Sequence, residues 1–360
     1  MTRPLRVLAL ARTGLRGPST RYRIAQYRVE LLRLGVEVEL APLFDEAWFR
    51  ILEARPAPWR ALLKAGYSLV RLGARVAQAR RADRGDHDLV LIEQQLFPYL
   101  PWALERWLWP RRKPVLLEFD DAIWLTWAHA AKLAAACARA DAVLAGNEFL
   151  AAFARRSARR VEVVPTTIDL SRYPVAPPPP AAGRALRLGW IGLRYNLAYL
   201  SPLAGPLRRL AAQGVALELR VISSGAPLGR EWDGLPLVQR PWSEAGEVAE
   251  MQACDVGLMP LPDDNWARGK CGLKLLQFMA AGRPVVASPV GVNRELLRHG
   301  ENGLLAADAA GWEDALRRLA GDPGLRARLG AAGRRTVESG YSLSGWAGRL
   351  SETYRLTASR

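Results

Sequence analysis

Short apolar runs alternate with segments of helical period along almost the whole chain. In the first half the runs are Leu5–Leu10, Val36–Leu40, Leu89–Glu93, Val115–Phe119, Ala142–Ala145 and residues 161–164. Each is rich in Val and Leu and bounded by turn or polar residues, as a buried strand requires. Helix-period stretches such as 22–34 and 132–139 lie between them. A second set comprises Leu186–Ile191, residues 217–222 and 236–238, Val256–Met259, Val285–Ala287 and residues 303–305. Strands alternating with helices predict parallel sheets covered on both faces, with ligands beyond the carboxyl ends of the strands. Residues 174–183, PVAPPPPAAG, separate the two sets, because four consecutive prolines enter neither a helix nor a ladder. The expectation is α/β: a Rossmann-like domain over 1–173, a proline-rich linker over 174–183 and a second such domain over 184–340. Their sheets would face each other across a cleft, and 341–360 would form a separate amphipathic helix.

The most chemical stretch is residues 268–292, RGKCGLKLLQFMAAGRPVVASPVGV. A glycine loop leads into a short helix on which Lys270, Lys274 and Gln277 share one face, while Leu275, Leu276, Phe278 and Met279 cover the rest. A helix apolar almost all round is buried, so its polar stripe points to a ligand site, and two lysines beside a glycine loop suit an anion. An ordinary helix with that stripe in solvent is the alternative. Gly189 and Gly192 bracket another strand end, followed by Arg194, where backbone amides can approach phosphate. In the first half, the loop ARTGLRGPSTRYR carries Arg12, Arg16, Arg21 and Arg23, with Arg28 just beyond. That fits phosphate or carboxylate recognition, or simply a solvated basic loop. EFDDAIW puts Glu118, Asp120 and Asp121 at a strand end. Adjacent side chains on extended backbone diverge, so at most one of the two aspartates faces a ligand, as a base or a sugar-hydroxyl acceptor. Asp121 is equally suited to cap the following helix.

Composition narrows the partners. The formal charge is +16, nearly all of it arginine, and the first half is the more basic. No recognition helix, zinc finger or RNP pattern is present, so no nucleic-acid partner is expected. Residues 59–81 form a basic amphipathic helix and 99–113 combine three tryptophans with a basic cluster. Both suit an anionic membrane surface, although helices covering a sheet are amphipathic in any case. No run reaches the ~18 apolar residues that span a bilayer. The apolar start reads as a first strand rather than a leader. Three scattered cysteines carry neither metal spacing nor a disulfide framework and indicate a reducing, cytoplasmic setting.

The second half resembles the retaining glycosyltransferases of family 4, which have the GT-B fold. The resemblance rests on KLLQFMAAGRPVVASPVGVNRELL, the NG turn in HGENGLLAAD and the preceding CDVGLMPLPDD. DAVLAGNEFLAAFARR and VEVVPTTIDLSRYP extend it into the first half. It implies a nucleotide-sugar donor on the second domain, a glycan or lipid-linked acceptor on the first, transfer with retention, and no metal or other cofactor. It assigns Gly192, Arg194, Arg268, Lys270, Gly272, Lys274 and Gln277 to the donor, with Trp242 against the base or in the core. Arg21 and Asp120 would meet the acceptor, and Asp120, Asp121 and Lys270 would take part in the chemistry. Two departures stand out. The family's pair of glutamates spanning this helix is replaced by Gly269 and Gln277, and its basic pair after the first strand is reduced to Arg194. Lys270 and Lys274, with Arg268, are expected to compensate on the diphosphate. A non-catalytic sugar-nucleotide-binding scaffold and a sugar-nucleotide epimerase are the alternatives.

Overall fold

The computed structural model describes residues 3–53, 59–98, 100–126, 129–175, 184–223 and 228–359. The chain forms two compact units, residues 1–166 with 343–360, and residues 167–342.

The first unit holds β1 (Leu5–Leu10), β2 (Val36–Leu40), β3 (Leu89–Glu93), β4 (Val115–Phe119), β5 (Ala142–Ala145) and β6 (Val161–Val163), all parallel, in the order β2-β1-β3-β4-β5-β6. β3, β4 and β5 are buried along their whole length, which is why they read as apolar runs, interrupted only by Glu93 and Glu118, rather than alternations. The stretch 22–34, expected as one helix, is broken. Pro18–Arg23 and Arg28–Arg33 flank a 3₁₀ turn at Ala25–Tyr27, because Ile24 leaves helical geometry at φ −127°. Trp59–Arg84 is one long helix with an unusual orientation. Arg71, Arg75, Ala79 and Ala82 face inward, and the two arginines donate to the Leu43, Pro42 and Ala11 carbonyls. Trp59, Leu62, Leu63, Leu69 and Val70 follow helical spacing on the outer face and are exposed.

The tail departs from expectation. The Leu343–Ala358 helix is part of the first unit: Leu343, Ala347, Leu350 and Tyr354 lie in one core with Val7, Ala9, Leu89, Leu91 and Leu116. Their spacing of four, three and four residues puts them on a single helix face, enough to cover a sheet.

The second unit holds β7 (Leu186–Ile191), β8 (Leu217–Ser223), β9 (Leu237–Pro241), β10 (Val256–Met259), β11 (Val285–Ala287) and β12 (Leu304–Leu305), again all parallel, in the order β12-β11-β10-β7-β8-β9. β9 runs three residues further than its pattern predicts, and its exposed end terminates in proline, as an edge strand tolerates. Residues 167–173, expected with the first domain, belong here. Ile168 N donates to the Tyr341 carbonyl at 2.9 Å, and Arg334 donates to the Tyr173 carbonyl at 2.6 Å. Of the proline-rich linker, 176–183 lie outside the described residues.

Candidate functional site

In the second unit the site is built by glycines that no larger residue can replace. Asp264 caps the short Asn265–Arg268 helix, accepting from Ala267 N at 2.7 Å. The chain then passes Gly269, Lys270 and Cys271 to Gly272, which caps the Leu273–Ala280 helix at φ +70°. A Cβ there would come within 2.5 Å of Leu296 Cδ1, so both the left-handed backbone and the space demand glycine. At the end of β7, a Cβ on Gly192 would meet the Trp190 ring at 2.5 Å and Lys274 Cε at 3.0 Å. The strand end and the first turn of the helix therefore converge, with the Lys274 stem between them. The Lys274 ammonium sits 5.4 Å from the Trp190 ring centroid, and that of Lys270 sits 4.9 Å from the Trp266 ring.

The other predicted donor residues are placed less uniformly. Arg268 donates to Asp263 at 2.7 Å, and this bond lowers the Asp263 carboxyl pKa. Gln277 is 3% exposed, and its amide nitrogen donates to the Tyr173 hydroxyl at 3.2 Å. Arg194 is exposed at the start of a 3₁₀ stretch, Arg194–Leu203. Trp242 follows β9, half-buried, with its indole nitrogen donating to the buried Glu247 at 2.9 Å. Lys274, Gly192 and Gly272 are thus gathered at one strand end and helix start, while Gln277 lies one turn further along and is tied to Tyr173.

The first unit carries a different constellation at the carboxyl ends of β3 and β4. Glu93 and Glu118 are register partners on these adjacent strands, and both are buried. Glu118 receives the Arg23 Nε at 2.6 Å, with both side chains 3% exposed. Glu93 Oε2 accepts from Thr20 Oγ1 at 2.7 Å and from Arg12 N at 2.7 Å. Burial, reinforced by neighbouring carboxylates, pushes Glu93 up to about 7 and Glu118 up to about 8. Burial also lowers the Arg75 guanidinium to about 9, the Glu93 charge opposing that shift. Next in the chain is Gln94, at φ +61°. Its side-chain oxygen accepts from Arg12 Nη1 at 2.7 Å and its nitrogen donates to Asp120 Oδ1 at 3.4 Å.

Of the predicted residues, Asp120 joins this network and is half-buried. Arg21 is 5% exposed, its guanidinium 4.9 Å from the Tyr22 ring centroid. Asp121 does not occupy a capping position. The 3₁₀ turn Ile123–Leu125 starts from Ala122 without a side-chain cap, because the chain turns one residue later than a helix cap needs. Sequence reasoning missed Thr20, Arg75, Glu93 and Gln94. The available signal was a glutamate closing LVLIE, an otherwise apolar strand.

Two parallel six-stranded α/β sheets in one chain, each with its polar residues at strand ends, are the architecture of the GT-B fold. Solved structures agree. Sucrose-phosphate synthase from Thermosynechococcus elongatus covers 100% of both chains at a TM-score of 0.70 and 16% identity. Anabaena HepE in complex with UDP-glucose covers 97% of this chain and 98% of its own, also at 0.70 and 16%. More particularly, residues 207–322 match the family described as Glycosyl transferases group 1. A phosphatidyl-myo-inositol mannosyltransferase of Mycobacterium leprae is 38% identical over 117 residues, 32% of this chain and 30% of that protein. A D-inositol 3-phosphate glycosyltransferase of Nocardia farcinica is 32% identical over 229 residues, 54% of this chain and 47% of its own. The chain spans a third to a half of these relatives' length.

Proposed function

We propose that the protein is a retaining glycosyltransferase that takes a sugar from a nucleotide-sugar donor to a hydroxyl of a glycan or lipid-linked cell-envelope acceptor. The observation that carries this reading is the convergence of Gly192, Lys274 and the glycine-capped helix start at Gly272. Helix-start amides beside the Lys274 ammonium suit a diphosphate, whose negative charge grows as the glycosidic bond breaks. Lys270 and Lys274, with Arg268 and Arg194, neutralise that charge without a metal ion. The leaving phosphate takes the acceptor proton, so the protein supplies no nucleophile. On the first unit, Asp120 and Arg21 bind the acceptor. The names of the matched relatives favour a polyol or polyol phosphate as that acceptor.

The same reading extends to location at the inner face of the cytoplasmic membrane. No helix among the described residues is long and apolar enough to cross a membrane. The outward apolar stripe of Trp59–Arg84 has Lys64, Arg80 and Arg84 exposed on the same helix. On the neighbouring helix Trp102–Leu108, Leu104 and Trp107 are exposed, and the Arg106 and Arg111 guanidinium groups flank the Trp107 ring. Apolar and cationic side chains interleaved in this way suit an anionic lipid surface.

A second reading, a binding protein without transfer activity, is favoured by one observation: glycine at 269 and a Tyr173-bound glutamine at 277 where the family carries glutamates. Thermal denaturation with UDP-, GDP-, dTDP- and CMP-sugars tests the donor assignment. A bound donor at 100 times its Kd adds about 2.7 kcal/mol. No stabilisation by any of them rejects it, and stabilisation without nucleotide release when acceptors are supplied favours the binding protein.

A further inference from the structure

Among the described residues Gln94 is the one non-glycine residue with positive φ, at +61°. The turn it makes is simple: Gln94 N donates to the Glu118 carbonyl at 2.6 Å and Gln95 N to the Glu93 carbonyl at 2.7 Å. Glycine would make that turn without the clash between Cβ and the following carbonyl, so the backbone alone does not call for glutamine. Strain of this kind persists where the side chain is needed. Here the side chain is 6% exposed and has two partners of opposite charge, Arg12 from the loop after β1 and Asp120 from the loop after β4. A primary amide has both an acceptor and donors, so it can span a cation and an anion on either side without neutralising either. Glutamate would repel Asp120, lysine would repel Arg12, and asparagine is one methylene shorter.

We infer that Gln94 is a positioning residue: its strained backbone and its amide fix Arg12 and Asp120 relative to one another at the carboxyl edge of the sheet, so that together they orient the acceptor hydroxyl. The inference rests on the glycosyltransferase reading and deepens it. Asp120 accepts from the reacting hydroxyl, Arg12 binds an anionic group of the same acceptor, and Gln94 sets the spacing between them.

The test uses the full chain, the donor that stabilises it, and D-inositol 3-phosphate or phosphatidyl-myo-inositol vesicles as acceptor. Gln94→Gly and Gln94→Asn both suit positive φ and both lose the bridge. Each is expected to keep or raise the Tm, to bind donor within twofold of wild type, and to lose about 100-fold in kcat/KM for the acceptor, the scale of a small misplacement of reacting groups. The combination of a steadier fold with poorer acceptor use is what a purely structural glutamine cannot give. A fall in Tm in both variants, or acceptor kcat/KM within twofold of wild type, overturns the inference. So does a wild type that binds donor yet releases no nucleotide with either acceptor, which leaves donor binding standing. A wild type that binds no donor removes the underlying reading itself.

Discussion

The two units share an all-parallel six-stranded architecture, with different strand orders, but handle charge in opposite ways. At the carboxyl edge of the first sheet, Arg23, Glu93 and Glu118 are buried and held by one another or by Thr20 and the backbone. At the corresponding edge of the second, Lys270 and Lys274 are half-buried on aromatic faces, and Arg194 and Arg268 are exposed. A buried pair such as Arg23–Glu118 has already given up its hydration and is held in place by the fold. A half-exposed ammonium on a ring keeps most of its charge for an incoming anion. The first edge is therefore a rigid polar frame, and the second a cationic surface suited to a ligand that brings its own negative charge.

The largest test of this contrast is Arg23→Ala. Measured at about pH 9, above the raised Glu118 pKa, it leaves a charged carboxylate buried without its guanidinium and is expected to destabilise the first unit by about 3–5 kcal/mol, read by urea denaturation. Lys274→Ala should do the reverse. Stability stays within about 0.5 kcal/mol, while donor binding by calorimetry weakens by about 2 kcal/mol, the value of a hydrogen bond to a charged group. Equal stability losses in the two variants would erase the distinction.

A third test is pH. The folded pKa values of Glu93 and Glu118 lie above the ordinary carboxylate value, so the folded unit holds protons that the unfolded chain has released. Their contribution is full below about pH 4.5 and is lost as pH rises through about 7 and 8. Each retained proton is worth about 1.4 kcal/mol per pH unit in that window. Amide exchange should therefore quicken in β3 and β4 between pH 5 and 8 more than in β10 and β11. Equal pH dependence in the two sheets would show that the frame carries no such proton. The smallest expected effect on stability belongs to the outer helix. Leu62→Glu with Leu69→Glu should leave the Tm within experimental scatter, both side chains being exposed, yet abolish sedimentation with phosphatidylglycerol vesicles. Unchanged sedimentation would remove the membrane surface from the functional reading.

The strands were legible in the sequence because parallel strands buried on both faces leave continuous Val and Leu runs, as in LVLIE and VLLEF. The role of the glycines in the second unit was partly legible too, since Gly272 and Gly192 lie next to the cations they admit. The first unit's frame was not. Glu93 pairs in register with a residue 25 positions away, and Thr20 reaches it across 73. No local spacing encodes such a meeting. Gln94 was invisible for another reason, because positive φ in a glutamine leaves no compositional trace. The destination of the last helix was equally hidden, since an apolar stripe says that a helix is covered but not by which sheet.

That last helix imposes an order on synthesis. The first 166 residues leave the ribosome long before Leu343–Ala358, which carries Leu350 and Tyr354 for the core around Val7 and Leu91. At translation speeds of about 5–20 residues per second, the incomplete sheet waits many seconds with that face only partly covered, by Ile24, Tyr27 and Leu31. Residues 167–342, whose core comes entirely from within that span, are free to fold during the wait. The unit that begins the chain is the last to be finished.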